Sequence, residues 1–144
     1  MKNDDTKKLL SECDAGIKMA VGSIDEVLPS VESAQLWETL SRCKRAHEQL
    51  GGQTQQLLER CSADGKSPNP MAKGMSWLKT NVKLTMQPGD QSVADLIIDG
   101  CNMGVKSLHR YCNRYPAAAP EARQIAGQLI DAESRLSREL ESYL

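Results

Sequence analysis

The sequence contains no phenylalanine, and aromatic residues of any kind make up only 3% of its 144 positions. A core of ordinary size must therefore be assembled from Leu, Ile, Val, Met, Cys and Ala. Long apolar runs are missing too. The purely apolar stretches extend only a few residues, which excludes a helix that spans a bilayer. Neither sign of charge dominates: 18 basic residues face 19 acidic ones, for a formal net charge of −1. That balance excludes a long-range electrostatic pull on nucleic acid or on an anionic membrane surface. The opening residues, MKNDDTKKLL, place no apolar stretch behind their charges. No secretory signal is expected, and the expected location is the cytoplasm. The five cysteines are an odd number without such a signal, so free thiols are expected. There is no Cys-x-x-Cys, no phosphate-cradling glycine loop and no Ser-His-Asp or Cys-His-Asn signature. The chain is expected not to be an enzyme, and no cofactor is expected.

What is present is punctuation and helical period. Turn chemistry occurs at LPSVES (28–33), CSADGKSPNP (61–70), QPGDQS (87–92) and YPAAAP (115–120). Each stretch carries proline or glycine among small polar residues. The five segments between them show apolar residues at steps of three and four, the helical repeat. Residues 6–28 present Leu10, Cys13, Ile17, Val21, Ile24 and Leu28. Residues 34–61 present Leu36, Leu40, Cys43, His47, Leu50, Thr54, Leu57 and Cys61. Residues 71–86 present Met71, Met75, Leu78, Val82 and Met86. The seam of 92–115 runs through Val93, Ile97, Cys101, Gly104, Leu108, Tyr111 and Tyr115. That of 120–143 runs through Ala122, Ile125, Leu129, Ala132, Leu136, Leu140 and Tyr143. Ser33 and Ser92 suit helix N-caps, and Pro120 suits a first helical position.

Short turns join the first helix to the second and the fourth segment to the fifth, so each pair should pack antiparallel. The second and fourth segments are separated by a loop and the 71–86 helix, long enough to cross along a bundle. The expectation is a single all-α domain over 1–144. It takes the form of an antiparallel four-helix bundle of ferritin-like type, with a short crossover helix between the second and third long helices.

The stretches LLSECDAGIKMA, HEQLGGQTQQLL, MAKGMSWLKTNVKLTM, DGCNMGVKSL and QLIDAESRLSREL carry a resemblance covering nearly the whole chain. It resembles small bacterial ferritin-like proteins of unknown function, of the type found in anaerobic Gram-positive bacteria. The resemblance implies a helical bundle and no particular activity. The di-iron chemistry of ferritin-like folds needs inward carboxylates and Glu-x-x-His pairs. Here Lys44 precedes His47 by three residues and Lys106 precedes His109 by three. The seams read above contain no carboxylate, and Glu133 and Asp99 fall beside them. Oxidase and iron-storage chemistry are therefore not expected.

The expected role is association through helical surfaces, with another protein or with a second copy of the chain. The 71–86 segment carries a second stripe, Trp77 and Leu84. With Trp37 near the start of the second helix, these residues mark the expected homodimer surface. Two alternatives stand beside that reading. Cys43 and His47 lie one turn apart, as do His109 and Cys112, and the four would satisfy a tetrahedral zinc ion if their helices met there. Alternatively the protein senses redox state through a thiol, with Cys112 the choice because it lies off the seam. Against both, the cysteines read as small core hydrophobes and His47 as a hydrogen-bonded core histidine. Glycines fall inside predicted helices at 16, 22, 51, 52, 100, 104 and 127. Gly100 and Gly104 suit a close approach of helices, the preferred reading; the alternative is that they leave room for a ligand. A further alternative is that Gly51 and Gly52 mark a kink or bulge.

Overall fold

A computed structural model describes residues 4–61 and 89–144. Among them are four α-helices: α1 (Asp4–Val27), α2 (Ala34–Cys61), α3 (Asp90–Arg114) and α4 (Pro120–Glu139). Single 3-10 turns follow α1 at Leu28–Ser30 and α4 at Glu141–Tyr143. No strand occurs among the described residues. The chain is an all-α bundle, as its apolar period requires. The expected crossover helix at 71–86, with Trp77 and Leu84, lies outside the described residues.

The helix ends show how local chemistry sets the boundaries. Ser33 caps α2: its Oγ accepts the Leu36 N–H at 3.2 Å, and its carbonyl accepts the Trp37 N–H at 3.0 Å. Pro120 opens α4, where its missing N–H costs no hydrogen bond. Ser92 does not cap α3 as expected. The helix begins two residues earlier, at Asp90, with Gly89 in the cap position at φ 123°. That conformation is open to glycine and strained for other residues. The early start places the Asp90 carboxylate against the turn before α2, where it accepts the N–H groups of Glu32 at 2.7 Å and Ser33 at 3.1 Å. At the opposite end of the molecule, Thr6 Oγ1 accepts the Ala119 N–H at 2.8 Å. This ties the start of α1 to the turn between α3 and α4. The Gly51–Gly52 pair produces no break, and α2 is continuous from end to end.

These ties fix the helix directions. α1 and α4 run one way, α2 and α3 the other, and each short turn joins an antiparallel pair. α1 packs against all three other helices, and so does α4. α2 and α3 therefore occupy the outer diagonal. The end of α2 and the start of α3 lie at opposite ends of the bundle, since Cys61 packs with one half of the core and Val93 with the other.

That core is divided. One cluster gathers Leu9, Leu10, Cys13 and Ile17 of α1 with Leu58, Leu108, Ala122, Ile125 and Leu129. The second gathers Ile24 and Val27 with Leu36, Leu40, Val93, Ile97, Cys101, Leu136 and Leu140. Between Leu129 and Leu136 on α4 lies Glu133, itself buried. Between Cys43 and Leu50 on α2 lies His47, also buried. A polar layer thus separates two apolar ones.

Candidate functional site

His47 is 1% exposed and Glu133 is 7% exposed. Their side chains meet with His47 Nε2 and Glu133 Oε2 3.7 Å apart. This is ion-pair distance, and too long for a hydrogen bond. The other ring nitrogen is anchored. His47 Nδ1 donates to the Cys43 carbonyl oxygen one turn back at 3.0 Å, with Cys43 Sγ 3.5 Å away. A carbonyl oxygen only accepts, so Nδ1 carries a proton. Nε2 faces a carboxylate, which when ionised also only accepts, so the arrangement favours a second proton on Nε2. Burial opposes the charged ring, but the contacts with Cys43 and Glu133 outweigh it, and the His47 pKa is pushed up to about 10. The result is a buried imidazolium–carboxylate pair. Among the described residues its Nε2 has no hydrogen-bond partner.

Glu133 is a correction to the sequence reading, which placed it beside the α4 seam and put Ala132 on it. The buried positions of α4 run Ala122, Ile125, Ala126, Leu129, Glu133, Leu136. Steps of four and three carry the register directly through the carboxylate. The signal that marks it is on another helix. A methyl group on Gly104 of α3 would overlap Glu133 Oε1. Gly104 is the seat of the carboxylate, and a side chain there would push the Glu133 carboxylate aside.

The pair forms part of the floor of a cleft of about 330 Å³ between α1 and α3. Ala15, Gly16, Met19, Ala20 and Ser23 line it from α1, and Gly100, Met103, Gly104 and Ser107 from α3. The small residues at these positions leave the space between the walls unfilled. A methyl group added at Gly16 or at Gly100 would meet nothing within 4 Å. This corrects the expectation of tight packing at Gly100, which borders open space. Gly51, by contrast, sits against Ile17 Cγ2, 3.3 Å from where its own methyl would be. At one end of the cleft stands Glu12. Burial raises its pKa, against the opposing influence of the Arg114 charge and the Tyr111 hydroxyl.

The residues singled out as a zinc set are not brought together. Cys43 and His47 belong to the polar layer. His109 is exposed on α3. Cys112 packs with the other half of the core, on the side of Cys13. Among the described residues no group of three or more His, Cys, Asp or Glu side chains is placed to hold a metal ion. All five cysteines are free. Burial pushes the Cys13 pKa up to about 12 and raises that of Cys101 as well, so these two are poor nucleophiles. Cys112, the expected reactive thiol, is half-buried, as are Cys43 and Cys61. Lys44, next to Cys43, is engaged by Asp25 of α1 at 2.7 Å. Trp37, placed at the expected dimer surface, is 49% exposed. No helix among the described residues is long and apolar enough to cross a membrane.

Comparison with known proteins returns no matching family model, no matching curated protein and no matching solved structure. The ferritin-like resemblance thus gains no family assignment, and the functional argument rests on the cleft itself.

Two outcomes follow from this geometry. Gly16→Ala and Gly100→Ala should each stabilise the protein by up to about 1 kcal/mol, since alanine is the better helix former and nothing obstructs it. Gly104→Ala should forfeit that gain in the wild-type background and recover it in a Glu133→Ala background. Urea unfolding of the four-member cycle measures the coupling. The second outcome concerns pH. His47 binds its proton more tightly folded than unfolded, so the pair stabilises fully below the ordinary histidine pKa of 6.5 and loses this as pH rises towards 10. The difference in melting temperature between wild type and His47→Gln should therefore narrow from pH 6.5 to pH 10. A constant difference would mean that His47 is neutral in the folded protein.

Proposed function

We propose that this protein is a small-molecule binding bundle, without catalytic chemistry, which holds an apolar ligand in the cleft between α1 and α3. The observation that carries the reading is the combination of an open apolar space with one unsatisfied polar floor. Well-packed cores leave few voids larger than a water molecule. Binding sites between helices have the features found here: several hundred Å³ of mostly apolar lining and a few fixed polar groups. The glycines add to the argument. Each gives up roughly 1 kcal/mol of helix stability relative to alanine. At Gly16 and Gly100, both on the cleft walls, no atom of the described residues demands that loss, whereas a ligand occupying the cleft would.

Self-association, the role expected from the sequence, has narrower support. It draws on the half-exposed Trp37 alone, because its other residues lie outside the described part of the chain.

The reading is tested with N-phenyl-1-naphthylamine, a neutral apolar fluorophore of suitable size. Wild-type protein should bind it saturably at one site and melt at a higher temperature in its presence, as a ligand bound to the folded state requires. Gly100→Leu, which fills the cleft from α3, should bind at least tenfold more weakly while keeping its helical circular dichroism. Gly16→Leu fills it from the opposite wall and serves if the first variant folds poorly. Equal binding by wild type and both filled variants would place the probe elsewhere and overturn the proposal.

A further inference from the structure

We infer that the ligand of this cleft is a neutral apolar molecule bearing a hydroxyl group, which bridges His47 Nε2 and Glu133 Oε2. The inference rests on the proposal that the cleft is a ligand site, and it adds the chemistry of the group that reaches the floor.

The charges come first. The charged or titratable side chains at the cleft are Glu12, Cys43, His47, Cys101, Tyr111 and Glu133. Among the described residues no lysine or arginine lines it. The carboxylate of Glu133 is balanced by the ring of His47. The carboxylate of Glu12 has Arg114 and the Tyr111 hydroxyl beside it. At the floor, then, Glu133 is not left needing a cation and His47 is not left needing an anion, while burial still disfavours the charge of Glu12 at the far end of the cleft. An ammonium head would have to sit against the imidazolium, and a carboxylate head against Glu133. Each would give up at close range what it gains from the opposite partner.

Hydrogen bonding is what remains unsatisfied. Nε2 is a donor without an acceptor, and a buried donor in that state is costly. Oε2 of Glu133 is an acceptor 3.7 Å away. Two contacts of about 2.8 Å span such a gap, so one oxygen atom can meet both once the side chains around the closed-off Nε2 shift to admit it. That oxygen must accept from Nε2–H and donate to the carboxylate. A hydroxyl does both with a single atom. An ether or ketone oxygen only accepts, and a hydrocarbon does neither. The remainder of the ligand then extends along the small-residue walls towards Met19 and Met103, whose flexible side chains adapt to an apolar shape.

The test displaces bound N-phenyl-1-naphthylamine from the full chain at pH 7 with four compounds sharing one apolar body. These are 2-methylnaphthalene, 2-naphthol, 2-naphthylmethylammonium and 2-naphthoate. The alcohol should compete best, roughly ten- to a hundredfold more tightly than the hydrocarbon, the range for hydrogen bonds to charged partners. Its advantage should vanish in Glu133→Leu. Should that variant fold poorly, Gly104→Ala removes the advantage by displacing the carboxylate while keeping every polar group. Equal competition by alcohol and hydrocarbon overturns the inference and leaves the cleft as an apolar site. Tightest binding by the ammonium or the naphthoate overturns it in favour of recognition by charge. If the fluorophore itself does not bind, the ligand-site proposal fails and this inference with it.

Discussion

The buried contact between His47 and Glu133 is the constraint around which the rest of the bundle is arranged. Two ionised groups taken out of water lose several kcal/mol of solvation each, and their attraction repays this only with good geometry and further hydrogen bonds. The fold supplies part of that support. The Cys43 carbonyl holds the far side of the ring. Gly104 leaves the space in which the carboxylate rests. The apolar clusters on either side exclude water and fix both helices that carry the pair. What the described residues leave unsupplied is a hydrogen-bond partner for Nε2, and the cleft runs alongside the residue that carries it.

This arrangement explains features that are otherwise unconnected. A core without phenylalanine has to be filled by smaller side chains, and those do fill the two clusters at the ends of the bundle. At mid-height the small residues of α1 and α3 instead face each other across open space. α1 and α4 pack against every other helix, so the wall that α1 shares with α3 widens without loosening the remainder. Asp90 at one end and Thr6 at the other bind the turns together. The cleft is thereby clamped from both ends, a rigid frame in which a ligand group can be positioned.

The sequence revealed the helices more readily than the site. The α2 boundaries, its Ser33 cap and the position of Pro120 follow from local chemistry, and they appear in the structure where that chemistry puts them. The start of α3 does not, because Asp90 is fixed by backbone groups of residues 32 and 33, which local sequence cannot reveal. His47 was visible as a polar residue on an apolar seam. Glu133 was not, because neighbouring Ala132 offered a blander residue for almost the same register. The glycine that would have exposed the choice, Gly104, lies on a different helix and acquires its meaning only from the packing. The small residues at Gly16 and Gly100 were equally visible, but close packing and open space leave the same mark in a sequence.

The central claim is that His47 is doubly protonated in the folded protein because Cys43 holds one side of the ring and Glu133 faces the other. Nitrogen-15 magnetic resonance of the ring tests this most directly, with both nitrogens followed from pH 6 to pH 11. The account predicts protons on both nitrogens at pH 8, with titration near 10 in the wild type and a lower midpoint in Glu133→Gln. A ring already neutral at pH 8, or a midpoint unmoved by the substitution, would contradict it.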